Sequence, residues 1–277
     1  MDFTPVTDYI ENVLRKEKGV PGCDVLICRE HKTLLRYTSG VSDYKGNTPI
    51  QGDEVYHMYS CTKPITCAAA MQLVEQGRLQ LDTPVYTYLP AYKNAFLMKD
   101  GQKAPTAKPM TVRQLFTMSA GLNYDRSTAP LLALIEKNPQ AGTVEVVNAF
   151  IETPLQFEPG EQFLYSLCHD VLAALVELLS GQKFEAYVKE HIFDPLGMEH
   201  SDFLHPMEDW EGFARQYRYD EATGQFQPWW KNTYRPGPEY ASGGAGCIST
   251  VEDYIKFLEA LRVGDVILKK QTIAMMA

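Results

Sequence analysis

The spacing of apolar positions changes along this chain, and each change marks an element. Val6, Ile10, Val13 and Leu14 recur at helical spacing across residues 6–17. Two β-rich runs follow, 23–29 (CDVLICR) and 33–39 (TLLRYTS), and the polar Glu30, His31 and Lys32 between them predict a hairpin. Residues 54–59 (EVYHMY) read as a short extended piece. Ser60 then opens an Ala- and Leu-rich helical run that reaches about Gln76 and stops at Gly77. From 80 to 183 the pattern is helices joined by loops that contain Pro and Gly, clearest at 111–118, 129–137, 143–152 and 167–179. Helices are also predicted at 184–192 and 250–262, with a hairpin at 213–219 and 225–230 that turns at Thr223-Gly224.

Strands at the start, a helical middle and mixed elements after it predict an α/β (α+β) fold. An α/β lobe takes 1–78 and 184–277, and a helical lobe takes 79–183. The chain's 277 residues, 45% of them hydrophobic, supply a sizeable core. Its net charge of −9 repels phosphate backbones, which argues against nucleic-acid binding. No apolar run reaches the roughly 18 residues of a membrane span; VLAALVELL is cut by Glu177. The N-terminus has neither the basic start nor the apolar stretch of a signal peptide. A cytoplasmic protein is expected, or a secreted or periplasmic one if a leader has been removed. None of the six cysteines forms a C-x-x-C pair and no His cluster completes a zinc site, so reduced, mostly buried thiols and no metal are expected.

The S-x-x-K pattern occurs at Ser42/Lys45, Ser60/Lys63 and Ser180/Lys183. Ser42 lies in a polar turn, SDYKGN, and Ser180 beside Gly181 at a helix end. Ser60 alone opens a buried-looking helix. Residues three apart on a helix share a face, which brings Lys63 alongside Ser60. The helix N-terminus adds free N–H groups and a positive dipole end to stabilise an oxyanion. A serine hydroxyl needs a base, and a lysine of lowered pKa can be one. Alternatively, Ser60 is a helix cap and Lys63 a solvated residue of the first turn. His57 lies three residues before Ser60, which on an extended stretch puts it on the opposite face, as a packed histidine.

The wider segments carry a family resemblance. YSCTKPITCAAAMQLVEQGRLQLDTPVYTYLP (59–90), TVRQLFTMSAGL (111–122), FEPGEQFLYSLCHDVLAALVELLSG (157–181), FDPLGMEHSDF (193–203) and SGGAGCISTVEDYIKFLEAL (242–261) occur in the order seen in the penicillin-recognising serine hydrolases. That family holds β-lactamases, DD-peptidases and related esterases. The resemblance implies an antiparallel sheet flanked by helices plus a helical lobe. It makes Ser60 the nucleophile, with Lys63 and Tyr165 as catalytic partners and Tyr165 as acid for the leaving group. The substrate is then a small-molecule ester or amide, and no cofactor is implied.

Two departures narrow that expectation. The family's second motif, Y-x-N or S-x-N, is here Tyr165-Ser166-Leu167. Leu167 cannot hydrogen-bond a substrate amide, so the pattern resembles the class VIII carboxylesterases and related acyltransferases instead. The family's third motif, K-T-G or a His or Trp variant, is not found. The expectation is a truncated copy of a longer chain, with an incomplete sheet and half an oxyanion hole, which self-association by strand pairing would complete. The stretch Ser242, Gly243, Gly244, Ala245, Gly246 either lines the substrate cleft, as the similar loop does in the family, or is a turn before a helix. Trp229, Trp230 and Tyr234 form either an acyl-binding wall or ordinary core and surface aromatics. Three rivals remain. An α/β-hydrolase would need G-x-S-x-G, and Thr117-Met118-Ser119-Ala120-Gly121 lacks the first glycine. The others are a β-lactamase or DD-peptidase, and a binding or sensor protein on the same scaffold.

Overall fold

The computed structural model describes residues 1–16, 20–43, 46–204, 213–229 and 234–277. Helix α1 (Thr4–Leu14) precedes a hairpin of β1 (Gly22–Arg29) and β2 (Lys32–Gly40). The hairpin turn is two residues, not three: Glu30 and His31 both adopt positive φ, 51° and 62°. That geometry matches strand twist, but it usually selects Gly or Asn. Support comes from across the fold, because Glu259 accepts the His31 backbone N–H at 2.7 Å.

Strand β3 (Tyr56–His57) leads through a 3₁₀ turn at Tyr59–Cys61 into α2 (Thr62–Glu75). A second hairpin, β4 (Phe96–Lys99) and β5 (Gln102–Pro105), interrupts a region expected to be helical. It turns at Asp100 and Gly101, both at positive φ. Helices α3 (Val112–Phe116), α4 (Ala129–Lys137), α5 (Thr143–Phe150) and α6 (Cys168–Ser180) follow. Next come α7 (Phe184–Val188), a π turn at Lys189–Phe193 and α8 (Asp194–Leu196). Strands β6 (Tyr217–Asp220) and β7 (Gln225–Pro228) form the expected hairpin around Gly224. Then β8 (Ile248–Ser249), α9 (Val251–Val263) and α10 (Lys270–Met276) complete the described order.

The core is helical. α6 buries every residue from Cys168 to Val176, and α2 packs against it with Ala68, Ala69 and Ala70 fully buried. A helix apolar on all sides belongs inside, and small side chains let two such helices approach closely. One apolar cluster runs from α2 through α3, α5, α6 and α7 to α9. The expected antiparallel sheet between helices is the two-stranded β1–β2 hairpin, on which α1 and α9 pack. Its residues are half-buried or exposed, and a half-buried ion-pair network ties it to α9: Arg36 on β2 bonds the buried carboxylate of Asp24 on β1 and the more exposed Glu252 on α9. All six cysteines are free, but only Cys168 and Cys247 are buried, which corrects the expectation of mostly buried thiols. Among the described residues no helix is long and apolar enough to cross a membrane.

Candidate active site

The short β3–β8 pair decides where the chemistry sits. Tyr56 pairs with Ser249 and His57 with Ile248. This joins the turn just before Ser60 to the glycine-rich loop 242–247. The clamp continues on both sides: Met58 N–H donates to the Cys247 carbonyl at 2.9 Å, and Cys247 N–H to Thr62 Oγ1 at 3.0 Å. Tyr254 of α9 donates to the Cys61 carbonyl at 2.9 Å. Tyr59, at φ 42°, is held in a left-handed conformation costing on the order of 1–3 kcal/mol, which these contacts offset. Strain of this kind concentrates at functional turns.

Ser60 emerges from that turn exposed, and its N–H lies in the first helical turn, where amides have no intrahelical acceptor. Lys63, one turn on, is 6% exposed. Its Nζ donates to Ser60 Oγ at 3.2 Å and to the Gly244 carbonyl at 2.7 Å. The same ammonium lies 4.7 Å from the Tyr165 ring centroid and 5.8 Å from that of Tyr124. Tyr165, ahead of α6, donates its hydroxyl to Ser60 Oγ at 2.7 Å. The three side chains therefore converge on one oxygen, and Lys63 is not the solvated residue of the alternative reading.

The loop behind Lys63 is ordered by one buried carboxylate. Asp170 is 1% exposed. It accepts from Tyr240 Oη at 2.5 Å, Ser242 Oγ at 2.6 Å and Gly244 N–H at 3.4 Å. Gly243 and Gly244 are glycines for want of room, not for φ. A Cβ on Gly243 would meet the His169 carbonyl at 2.5 Å and Ala173 Cβ at 2.7 Å; one on Gly244 would meet Asp170 at 2.6 Å. The Gly243 carbonyl accepts from Thr66 at 2.7 Å. Gly244 thus holds the amine and Gly243 ties the loop to α2, while Ser242 also reaches the wall of a neighbouring pocket. His169 lies deeper, with Nε2 3.3 Å from the Phe116 carbonyl. Burial lowers its pKa to about 4, which keeps it neutral.

Leu167 is buried, and its N–H donates to the Asn123 carbonyl at 3.1 Å. With Leu131, Val146, Phe150 and Pro236 it lines a small open pocket. Tyr234 forms part of that wall and bridges it to the reacting oxygen's surroundings: its ring centroid is 5.5 Å from Tyr59 and 6.0 Å from Tyr124, which is 5.4 Å from Tyr165. Burial and the neighbouring Tyr234 raise the Tyr124 pKa, so its phenol stays protonated. Trp229 is elsewhere, beside Arg218 on the β6–β7 hairpin, and Trp230 lies outside the described residues, as does Lys45. His57 packs against Tyr59 and Phe213 at 5.8 and 6.0 Å. Ser42 and Ser180 bond local backbone carbonyls. Sequence reasoning missed Asp170, Tyr240 and Tyr124; an Asp in the first turn of an otherwise apolar helix was the one available signal.

A serine hydroxyl held between an amine and a phenol at a helix N-terminus has the parts of an acyl-transferring serine site. The comparisons agree. The Beta-lactamase family matches residues 7–277, and the chain belongs to that family. Esterase EstB of Burkholderia gladioli is 29% identical over 92% of this chain, which spans 69% of EstB. Acyltransferase calJ of Penicillium decumbens is 31% identical over 83% of this chain, which spans 58% of calJ. Among solved structures, EstCE1, a hydrolase with promiscuous acyltransferase activity, superimposes with a TM-score of 0.80 at 26% identity, covering 97% of this chain and 76% of EstCE1. The chain thus spans between 58% and 76% of the length of these three proteins.

Proposed function

We propose that this chain acts on small-molecule carboxylic esters, by hydrolysis or acyl transfer through an acyl-enzyme on Ser60. The observation that carries this is the convergence of Lys63 Nζ and the Tyr165 hydroxyl on Ser60 Oγ. In the arrangement seen, both partners donate, so the resting hydroxyl is a weak nucleophile. Removing one proton from the Lys63–Tyr165 pair converts it into an acceptor for the serine proton. Ser60 Oγ then bonds to the ester carbonyl carbon, with its own N–H facing the oxyanion. The C–O bond to the leaving alkoxide breaks, and the pair returns the proton to that alkoxide. Water or another alcohol attacks the acyl-enzyme by the reverse route, giving up its proton through the same pair and restoring Ser60.

Leu167 supports ester over amide chemistry. The position that would bond a substrate amide is apolar and faces the pocket. An ester's alkoxide departs without that help. The relatives named esterase and acyltransferase are in keeping with it. The test is labelling by a fluorophosphonate, located by mass spectrometry, with p-nitrophenyl butyrate turnover measured in parallel. Adduct on Ser60, with both signals abolished in Ser60→Ala, supports the reading. No adduct, or an unchanged signal in Ser60→Ala, overturns it.

A further inference from the structure

Tyr165 must keep its phenol aimed through several chemical steps, yet its surroundings are sparse. It lies ahead of α6 on backbone outside any helix or strand, and it is 42% exposed. At rest its hydroxyl is fixed by Ser60 Oγ at 2.7 Å, and its ring centroid lies 4.7 Å from the Lys63 ammonium. Neither contact lasts through the reaction. The first weakens once Ser60 Oγ is bonded to the acyl carbon, because the phenol then serves the leaving oxygen. The second weakens whenever the amine is neutral, since cation–π attraction needs the charge. The contact that persists is Tyr124, whose ring centroid is 5.4 Å from that of Tyr165 at a tilt of 42°. Among the described residues it is the one aromatic ring beside Tyr165.

The backbone brings these two rings together. Leu164 N–H donates to the Met118 carbonyl at 3.0 Å, Gly160 N–H to that of Ser119 at 2.8 Å, and Leu167 N–H to that of Asn123 at 3.1 Å. These bonds flank Tyr165 on one segment and end next to Tyr124 on the other. Asn123 Oδ1 accepts the Asp125 N–H at 2.9 Å, a turn that fixes the backbone of Tyr124 between them. Tyr234 backs the Tyr124 ring at 6.0 Å, and Lys63 Nζ stands 5.8 Å from its centroid. Tyr124 is not itself the proton carrier, because burial and Tyr234 keep its phenol protonated. We propose that Tyr124 is the positioning residue of the site, its ring backing that of Tyr165 so that the phenol stays aimed at the reacting oxygens. The proposal rests on the ester-hydrolase reading above, in which the Lys63–Tyr165 pair returns a proton to the leaving alkoxide, and it adds no reactant.

The test compares leaving groups. p-Nitrophenoxide departs with little help from an acid, whereas ethoxide needs a proton as it leaves. kcat/KM is measured for p-nitrophenyl butyrate and for ethyl butyrate on the same preparation, so that their ratio cancels any difference in folded fraction. A misaimed phenol penalises the ethyl ester more, and the ratio should rise about three- to tenfold in Tyr124→Leu. Tyr165→Phe should raise it further still. Adding Tyr124→Leu to Tyr165→Phe should then change nothing, because Tyr124 acts through that phenol. Tyr124→Phe keeps the ring and should match the wild type. Tyr124→Met takes the place of Tyr124→Leu if the latter yields no folded protein. An unchanged ratio in Tyr124→Leu overturns the proposal, as does a further rise in the Tyr165→Phe background or an equal shift in Tyr124→Phe. If Ser60 is labelled and both esters are turned over by the wild type, such a result removes the role of Tyr124 alone. If no ester is turned over and Ser60 is not labelled, both readings fall together.

Discussion

Asp170→Asn is the most informative single change, because Asp170 touches no reacting atom yet holds the loop that holds Lys63. Its carboxylate is buried and takes three donors, from Tyr240, Ser242 and Gly244. An asparagine keeps one acceptor oxygen but loses the charge that strengthens those bonds. It also brings an NH₂ group to the side now packed against Gly244, where a carboxylate oxygen stands 2.6 Å from the position of a glycine Cβ. A buried donor left without an acceptor costs about 1–3 kcal/mol, and weakening charge-assisted bonds adds a similar amount. The sum, about 3 kcal/mol, converts to a fall in Tm of roughly 6–12 °C for a chain of this size.

The effect on activity follows a separate route. Lys63 is aimed by the Gly244 carbonyl at 2.7 Å. If the loop relaxes, the amine drifts from Ser60, and a misplacement near 1 Å costs on the order of 10²-fold in rate. A positioning role appears mainly in kcat, whereas loss of a substrate contact appears in KM. Ester turnover and thermal unfolding measured on the same preparation separate the two effects. Ser242→Ala, which removes one donor of three, should show a smaller version of both. The reasoning fails if Asp170→Asn keeps kcat within about threefold while unfolding at the wild-type temperature, since the network would then carry neither geometry nor stability.

Lys63→Met should lower kcat/KM for p-nitrophenyl butyrate by about 10²–10⁴-fold, with Tyr165→Phe in the same range. Combining them should add little, because the two share one proton; additive losses would contradict the shared-proton scheme. Gly243→Ala should destabilise by about 1–3 kcal/mol through collision with the His169 carbonyl and Ala173, read as a lowered urea midpoint with unchanged m-value. His169 predicts acid sensitivity. Its pKa is about 4 when folded, from a usual 6.5, because burial penalises the charged ring. Between those values the unfolded chain binds a proton that the folded one refuses, so stability falls as pH drops from 6.5 towards 4, by up to about 1.4 kcal/mol per pH unit. His169→Leu should flatten that slope in denaturant titrations at successive pH values; an unchanged slope would mean the lost stability arises elsewhere.

How far the sequence can be read depends on whether a feature is carried by side-chain identity at short range. Ser60 and Lys63 were legible because a three-residue step on a helix is a local geometric fact. The boundaries of α4 and α9 were legible from periodicity and caps, Thr250 accepting the Asp253 N–H at 3.1 Å at the start of α9. Tyr165 lies 105 residues from Ser60, and only a family resemblance could bring the two together. The β4–β5 hairpin was missed although Asp100-Gly101 is a strong turn signal, because its four-residue strands show no clear alternation. The two-residue turn at Glu30-His31 was hidden for the opposite reason: it uses residues that ordinarily avoid positive φ, and the compensation comes from Glu259 more than 200 residues away.

The partner that fixes the Lys63 amine is a further step removed, since it is a backbone carbonyl, and a backbone carbonyl looks the same at every position. What the sequence does record is the room that carbonyl needs. Gly243 and Gly244 stand where any Cβ would strike the helix α6 backbone or Asp170. The glycine pair, the buried Asp170 and the buried lysine are therefore one device: close approach of loop to helix, allowed by two missing side chains and locked by one carboxylate. It presents a carbonyl to an amine that has left water. Among the described residues that carbonyl and Ser60 are the hydrogen-bond acceptors of the Lys63 amine, which is 6% exposed, and a polar group buried without partners is costly. The same packing that keeps the amine in place thus keeps it beside the hydroxyl, so stability of the loop and competence of the site rise and fall together.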